Sequence, residues 1–570
     1  MKNILLFFVL INPLCLLLGQ TTYTREWGTL IDPVKFGSNH VLNVNPVNGN
    51  MYYVSGYLEI MEYNINNYQS KSIYKFQQTS FGTIIQNITF DTEGNIIISG
   101  RGTGAPPPTP GTYNGGANFI VKISTTGTVL LSLRANLSQH ITHLALDKFN
   151  NMYCVGQLNK NTVLNESPFQ STADTSSIIN SQDAITKISS NGQHVWSTFY
   201  TKDQSYIRSI VAADDGFYVY GDHMASTSTS NYFSTPGSYQ EYATGVFTGS
   251  GGNEKNVFLS KFNFNGGRVW STYFAVDRSM VPHSETLRYF GGLTVINNEP
   301  YILTKHEILP VMTKNPTTKG AFLTSQVSLS QYDITATKFS SLGKRLWTSF
   351  LYYGETIEQP FDTNELFISG TLLNNITNVT SLVSKDGYQT NPGTLKPDNY
   401  HFTMSLDGSK MNYGTFYGFN GADMGTVFAT KNGYYVVGFS WLNKTATSPF
   451  VTSNATLNSF IYDINGKDYW GNYIGYFKRK SSLSLDSNDN IFFFNIYPNP
   501  TTEILNIQFK DILPENTQFT IYNVAGKKIL DVKAQSTEVN QINVSNLSAG
   551  VYVLQINNNG TNQTVKFIKK

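Results

Sequence analysis

The chain has 570 residues, 40% of them apolar, which is enough for a large core; length alone allows three or four average domains. Only 14% are charged, against ~25% in ordinary soluble domains, while aromatic residues also reach 14%. Forty basic and 38 acidic residues leave a net charge of +2 with no basic stripe, which argues against a nucleic-acid partner.

The first segment, "MKNILLFFVLINPLCLLLGQ", has Lys2 before an apolar run from Ile4 to Leu18 and then turns polar. This pattern predicts a secretory signal peptide over 1–20, cut near Gly19 or Gln20. Cys15 raises the alternative of a lipoprotein leader, but Leu14 stands where a small residue is required. No later stretch is apolar for long enough to form a membrane-spanning helix. The other cysteine, Cys154, lies in the strand-like run "NMYCVGQ" and reads as packing. One mature cysteine forms no internal disulfide.

From residue 25 to about 480 the chain repeats itself. "DAITKISSNGQHVWSTFY" (183–200) aligns with "NVFLSKFNFNGGRVWSTYF" (256–274), "DITATKFSSLGKRLWTSF" (333–350), "NYHFTMSLDGSKMNYGTFYG" (399–418) and "NSFIYDINGKDYWGNYIGY" (458–476). Weaker copies start at 118, with Leu131 in the Trp place, and at 58, giving seven. Each reads as two strands around a turn of Asn, Ser and Gly. A second hairpin precedes each, as in "ITFDTEGNIIISG" (88–100) and "VFATKNGYYVVG" (427–438), and its second strand is apolar almost throughout. Such a strand is covered on both faces. Seven four-strand units predict a β-propeller of seven blades, with eight as the alternative. Trp196, Trp270, Trp347 and Trp470 then read as wedges between blades rather than ligand contacts. "REWGTLI" (25–31) resembles the Trp strand without its partner; as an N-terminal strand it could close the ring, yet it is one strand too many for seven complete copies. "LSLDSNDNIFFF" (483–494) reads either as part of an eighth blade or, preferably, as a linker over 481–495.

Three loops carry Pro-Gly: "TPGTYNGG" (109–116), "TPGSYQEY" (235–242) and "NPGTLKPD" (391–398). With the Asp-x-x-Gly-Asn turns, "DAITK" and the Ser-Thr-Tyr strand, they resemble the SBBP-type propeller repeat of bacterial secreted proteins. The resemblance covers roughly residues 25–480 and is clearest in copies three to five. It implies a fold and no shared catalytic residues.

After Pro498 and Pro500, which fit no central strand, come short alternating strands with tight turns at Gly526 and Gly550, the pattern of a small Ig-like β-sandwich over 496–570. Four motifs occur in order: Tyr497-Pro498-Asn499-Pro500; Tyr522 with Gly526-Lys527; Leu547, Gly550 and Tyr552; and a basic end at Lys569-Lys570. Together they resemble the type A C-terminal sorting domain of the Bacteroidota type IX secretion system. That resemblance implies recognition by the secretion machinery, passage through the outer membrane, removal of the domain, and a mature protein that is released or held at the cell surface.

No catalytic or phosphate-binding motif is present, so no catalytic, metal or cofactor residue is assigned. The Asp407-Gly408 turn departs from the Asp box of sialidases. Isolated Asp turns lack the six to eight oxygens that Ca²⁺ requires. His143, His194, His223, His283, His306 and His401 show no metal spacing and read as packing or solvated side chains. Two function classes follow: a non-catalytic binding scaffold for a glycan or surface partner, and a polysaccharide hydrolase or lyase whose site is built by loops such as 222–255 and 371–398.

Overall fold

The computed structural model describes residues 22–31, 41–442, 469–480 and 494–570, less 57, 65–68, 79–81, 139, 176–179, 228, 244–255, 275–278, 281–291, 308–314, 326–331, 359–363, 373–380, 393–397, 419–422, 431, 510–516, 536, 538, 559 and 560. The leader, the linker as far as residue 493, and the first half of the 458–476 hairpin therefore lie outside the described residues. Two compact units, 1–480 and 481–570, divide the chain.

All regular structure among the described residues of the first unit is antiparallel strand, in seven sheets. Blade 1 comprises Leu42–Val44, Met51–Ser55, Glu59–Asn64 and Gln69–Lys75. Blade 2 comprises Ile84–Phe90, Ile96–Arg101, Asn118–Ile123 and Val129–Ala135. Blade 3 comprises Ile141–Leu146, Met152–Asn159, Ser181–Ile188 and His194–Phe199. Blade 4 comprises Gln204–Ala212, Phe217–Met224, Asn256–Phe262 and Arg268–Phe274. Blade 5 comprises Leu293–Ile296, Glu299–Glu307, Tyr332–Phe339 and Arg345–Leu351, with the two-residue strand Ser279–Met280 as a fifth, paired to Glu299–Glu307. Blade 6 comprises Thr356–Glu358, Glu365–Leu372, Asp398–Ser405 and Met411–Phe416. Blade 7 comprises Asp423–Thr430, Gly433–Leu442 and Tyr469–Lys480, and its fourth strand is the N-terminal Thr22–Ile31. The first strands of successive blades lie side by side, and the seventh lies beside the first, so the cycle closes. Seven hydrophobic clusters fill the seven spaces between blades. The fold is the expected all-β propeller, and it has seven blades.

Closure resolves the surplus strand. Trp27 pairs with Tyr476 in the register of Thr22–Ile31 against Tyr469–Lys480. Its indole, 2% exposed, lies 5.3 Å from the Tyr63 ring of blade 1 and 6.0 Å from Tyr435 of blade 7. Trp470 does not hold the outer-strand place predicted for it. It stands on the third strand, paired with Trp441 of the second, because the fourth place is already filled from the other end of the chain. Trp196, Trp270 and Trp347 are wedges as expected, each under 9% exposed. Trp270 Nε1 donates to Ser341 O of the next blade at 2.9 Å, and Trp347 Nε1 donates to Leu406 O at 3.0 Å. A turn glycine of the following blade presses on each ring. A Cβ on Gly343 (φ +82°) would stand 2.7 Å from Trp270, and one on Gly408 (φ +71°) 2.5 Å from Trp347. These turns need glycine for both backbone and space. Leu131 meets Gly192 in the same way, which accounts for its occupying the Trp place.

The Asp turns are braced from within. Asp91 Oδ1 accepts Glu93 N at 3.0 Å and Asn95 N at 2.8 Å; Asp147 Oδ1 accepts Phe149 N and Asn151 N, both at 2.9 Å. These are Asx turns that fold the hairpin. Cys154 is fully buried, and burial pushes its thiol up to about 12.

The second unit packs a three-stranded sheet (Phe494–Tyr497, Ile504–Phe509, Val539–Asn543) against a four-stranded one (Gln518–Asn523, Lys528–Lys533, Gly550–Asn558, Thr561–Lys569). Alternate residues such as Leu505, Ile507, Leu554 and Ile556 form its core.

Candidate functional site

Two places gather candidate side chains, one in each unit. In the second, the two ends of the unit meet. Asn499 Oδ1 accepts Ile568 N at 2.9 Å, Thr501 N donates to Ile568 O at 2.8 Å, and Lys570 N donates to Thr501 O at 2.9 Å. The Tyr-Pro-Asn-Pro segment is thereby stapled beside the last strand, Pro498 and Pro500 exposed and Tyr497 43% exposed. Asn506 Nδ2 holds Tyr497 O at 2.9 Å. The Asn523 side chain accepts Ala525 N and Lys527 N at 3.1 and 3.0 Å, which forms the turn that needs Gly526 at φ +75°. Tyr522 OH donates to Gln555 Oε1 at 3.0 Å. Leu547 packs on the core and its N–H donates to Val544 O. Gly550 pairs with Lys569. Tyr552 OH reaches back to Ser548 O at 2.9 Å, a tyrosine corner, and its ring stacks on Phe567. Lys569 is buried to 8% exposure, while Lys570 is exposed. The first and last motifs thus share one edge, and the two middle ones shape turns. The sequence reading passed over Val551 and Ile568, a cross-strand pair that is exposed on this sheet.

In the propeller, the first strands surround a cavity of ≈ 220 Å³ lined by Val41, Leu42, Asn43, Gln86, Asn87, Ile88, His143, Leu144, Ser209, Ile210, Glu358 and Phe428. Polar side chains here tie blade to blade. Asn43 Nδ2 donates to Ile88 O at 3.1 Å, Asn87 Nδ2 to Ile141 O at 3.0 Å, and Ala429 N donates to Glu358 Oε2 at 3.0 Å. Register shifts interrupt the first strand in blades 2, 3 and 4, between Ile85 and Asn87, Ile141 and His143, and Ile207 and Ser209. The intervening residues Gln86, Thr142 and Arg208 occupy β-bulges, which re-aim side chains. Gln86 is 8% exposed, and its Oε1 is buried with no hydrogen-bond partner. Burial raises the Glu358 carboxyl to about 7. Burial, helped by Arg208, holds His143 down to about 4, so it is neutral at pH 7.

Beside the cavity, Arg208 pairs with buried Asp222. Asp183 accepts Ile207 N at 2.6 Å and Gln157 Nε2 at 3.3 Å, and burial lifts it to about 6. The hydrogen bonds of both carboxylates run within and between blades. The other predicted histidines are dispersed. His223 lies between Tyr273 OH (3.0 Å) and Asp203 Oδ2 (3.3 Å), His401 meets Tyr434 OH at 2.9 Å, and His194 meets Ser197 Oγ at 2.8 Å. His306 pairs with Asp333 through the backbone, and His283 lies outside the described residues. Among the described residues no group of three or more His, Cys, Asp or Glu could hold a metal ion.

The described parts of the long loops run along the outer edge of their blades. Thr235 N donates to Ser271 O at 2.9 Å and Tyr273 N to Gln240 O at 3.1 Å, while Phe416 N donates to Gln389 O at 3.1 Å. Arg134 N (to Tyr113 O, 2.8 Å), Phe199 N (to Gln170 O, 3.0 Å) and Phe350 N (to Leu323 O, 3.1 Å) repeat the arrangement in other blades. The Pro-Gly segments 109–116 and 235–242 cover strand edges that would otherwise be open to pairing.

Residues 495–570 match the family described as the secretion system C-terminal sorting domain. This marks the chain as a secreted or cell-surface protein. No helix among the described residues is long and apolar enough to cross a membrane. No curated protein matches the sequence. Among solved structures, the chain is similar to a fungal alcohol oxidase of the AA5 family in complex with copper (8% identity, TM-score 0.38, covering 97% of this chain and 100% of that one). It is also similar to the N-terminal domain of Nup159 (8%, 0.33, 81% and 96%) and to a DUF4221 protein from Bacteroides vulgatus (10%, 0.31, 81% and 99%).

Proposed function

We propose that this exported protein is a non-catalytic binding scaffold whose propeller takes a glycan or other cell-surface partner. The observation that carries the reading is the chemistry around the axis. Carboxamides, a hydroxyl and a neutral imidazole surround the cavity, and its one carboxylate, Glu358, is raised by burial. Neutral polar groups beside apolar ones suit recognition through hydrogen bonds and stacking. The loops that would otherwise build a catalytic face serve, where described, as edge covers.

The chain is read as a cleaved leader (1–20), an SBBP-type propeller (25–480), a linker (481–495) and a sorting domain (496–570). The Pro-Gly loops and the wedge residues support the repeat type. The stapled edge around Tyr497, Asn499 and Lys569–Lys570 is the surface offered to the secretion machinery. The test is a glycan and polymer binding screen on the mature full chain, run beside hydrolysis and lyase assays on the same polymers. Binding without turnover is expected; turnover of any bound polymer overturns the non-catalytic reading.

A further inference from the structure

We infer that the axial cavity is a site for one small neutral polyol, of the size of a single sugar ring, held by Gln86, Glu358, His143 and Ser209. This rests on the binding reading above and names its ligand class and subsite.

Four observations converge. The cavity of ≈ 220 Å³ would hold roughly seven waters at ~30 Å³ each; it lies below the ~300 Å³ at which drug-sized pockets begin. Its lining comes from the first strands of six of the seven blades, so its shape is fixed by the closed ring. Gln86 sits on a bulge, and its buried Oε1 accepts nothing. Of the buried polar side-chain atoms without a hydrogen-bond partner among the described residues, Gln86 Oε1 is the one that belongs to the cavity lining, and such an atom calls for a donor from a ligand or a water. Glu358 Oε2 accepts one backbone N–H, from Ala429. A hydroxyl-rich ligand supplies donors to these oxygens.

The remaining lining fits the same class. Ser209 can donate or accept, and neutral His143, whose Nδ1 lies 3.1 Å from Thr142 Oγ1, adds an uncharged polar edge. Val41, Leu42, Ile88, Leu144, Ile210 and Phe428 give the apolar wall against which the C–H face of a sugar ring packs. Among the described residues no Lys or Arg belongs to the lining, which disfavours an anion.

The experiment is calorimetric titration of the mature full chain with a panel of monosaccharides and glycerol, an amine of equal size, and an anionic sugar acid. The neutral polyols are expected to bind and the other two to bind at least tenfold more weakly. Gln86→Met removes one acceptor at constant shape and is expected to weaken polyol binding about tenfold. The same change removes an unsatisfied buried oxygen, so its thermal midpoint is expected to equal or exceed that of the parent. Glu358→Gln tests the second contact and is expected to weaken binding severalfold. Overturning results are an absence of polyol binding, polyol binding that neither variant alters, or preference for the amine or the acid. If polymers from the glycan screen still bind undiminished to Gln86→Met, the cavity assignment fails while the scaffold reading stands.

Discussion

At the scale of single residues, the seams between blades are set by pairs. Trp270 and Gly343 belong to adjacent blades, and the indole fills the space that a side chain on Gly343 would need. Trp270→Ala leaves a cavity at the seam and is expected to cost about 3–5 kcal/mol in denaturant melts. Gly343→Ala forces a Cβ to 2.7 Å from the indole at φ +82°, an overpacking expected to cost about 1–3 kcal/mol. In a Trp270→Leu background the alanine is expected to cost less, as Leu131 over Gly192 suggests; a double-mutant cycle with no coupling would refute the pairing. His401 offers a titration test. Burial holds it down to about 3 from its ordinary 6.5. Above pH 6.5 both folded and unfolded chains carry it neutral. As pH falls below 6.5 the unfolded chain takes up a proton that the folded chain refuses, so stability drops by up to about 1.4 kcal/mol per unit until the folded group titrates. Urea melts of His401→Gln at pH 7 and pH 4.5 are expected to show a smaller acid loss than the parent. Asp183, raised to about 6, acts with the opposite sign but is common to both proteins and cancels in the difference.

At the scale of elements, the strand Thr22–Ile31 is the informative one. Without it, Tyr469–Lys480 would present a bare edge, and the seam cluster of Trp27, Tyr63, Tyr435 and Tyr476 would lose its central ring. A chain lacking residues 22–31 is expected to melt lower and to self-associate on sizing with light scattering, and a peptide of those residues added in trans is expected to reverse both. A monomer with the parental midpoint would contradict closure by this strand. The hairpins themselves were legible because their patterns are local: Asp or Asn and Gly at turns, near-continuous apolar second strands, and Trp three or four residues after a Gly. The strand that completes the last blade was visible in "REWGTLI", but its partner was not. Pairing between residues 22 and 480 leaves no local trace, and Trp470 happens to follow a Gly at the spacing of the true wedges. The role of the Pro-Gly loops was missed for a related reason. Turn residues announce a loop, but not the edge on which it lies.

At the scale of the whole molecule, the two units differ in how much of their chemistry is local in sequence. The sorting motifs were legible as a set because they sit close together in 76 consecutive residues, 495–570. The axial cavity was not, since six blades contribute between one and three side chains each, and each group is separated from the next by at least a full repeat. Deleting residues 566–570 removes every hydrogen bond described between Asn499–Thr501 and the C-terminal segment. The shortened chain is expected to accumulate in the periplasm with a folded propeller, as read by fractionation and protease resistance. Export at the full-length level would separate this edge from sorting.

Thr22 pairs with Lys480, so the ring cannot be completed until almost the whole propeller has been made. At ~5–20 residues per second, roughly 20–90 seconds of synthesis separate the two partners. For that interval the earliest strand carries Tyr23 and Trp27 with nothing to cover them, and six blades stand as an open arc whose two terminal seams are both apolar. The same geometry therefore makes timing the hazard: whatever accompanies the chain before it folds must shield an early strand until its late partner arrives.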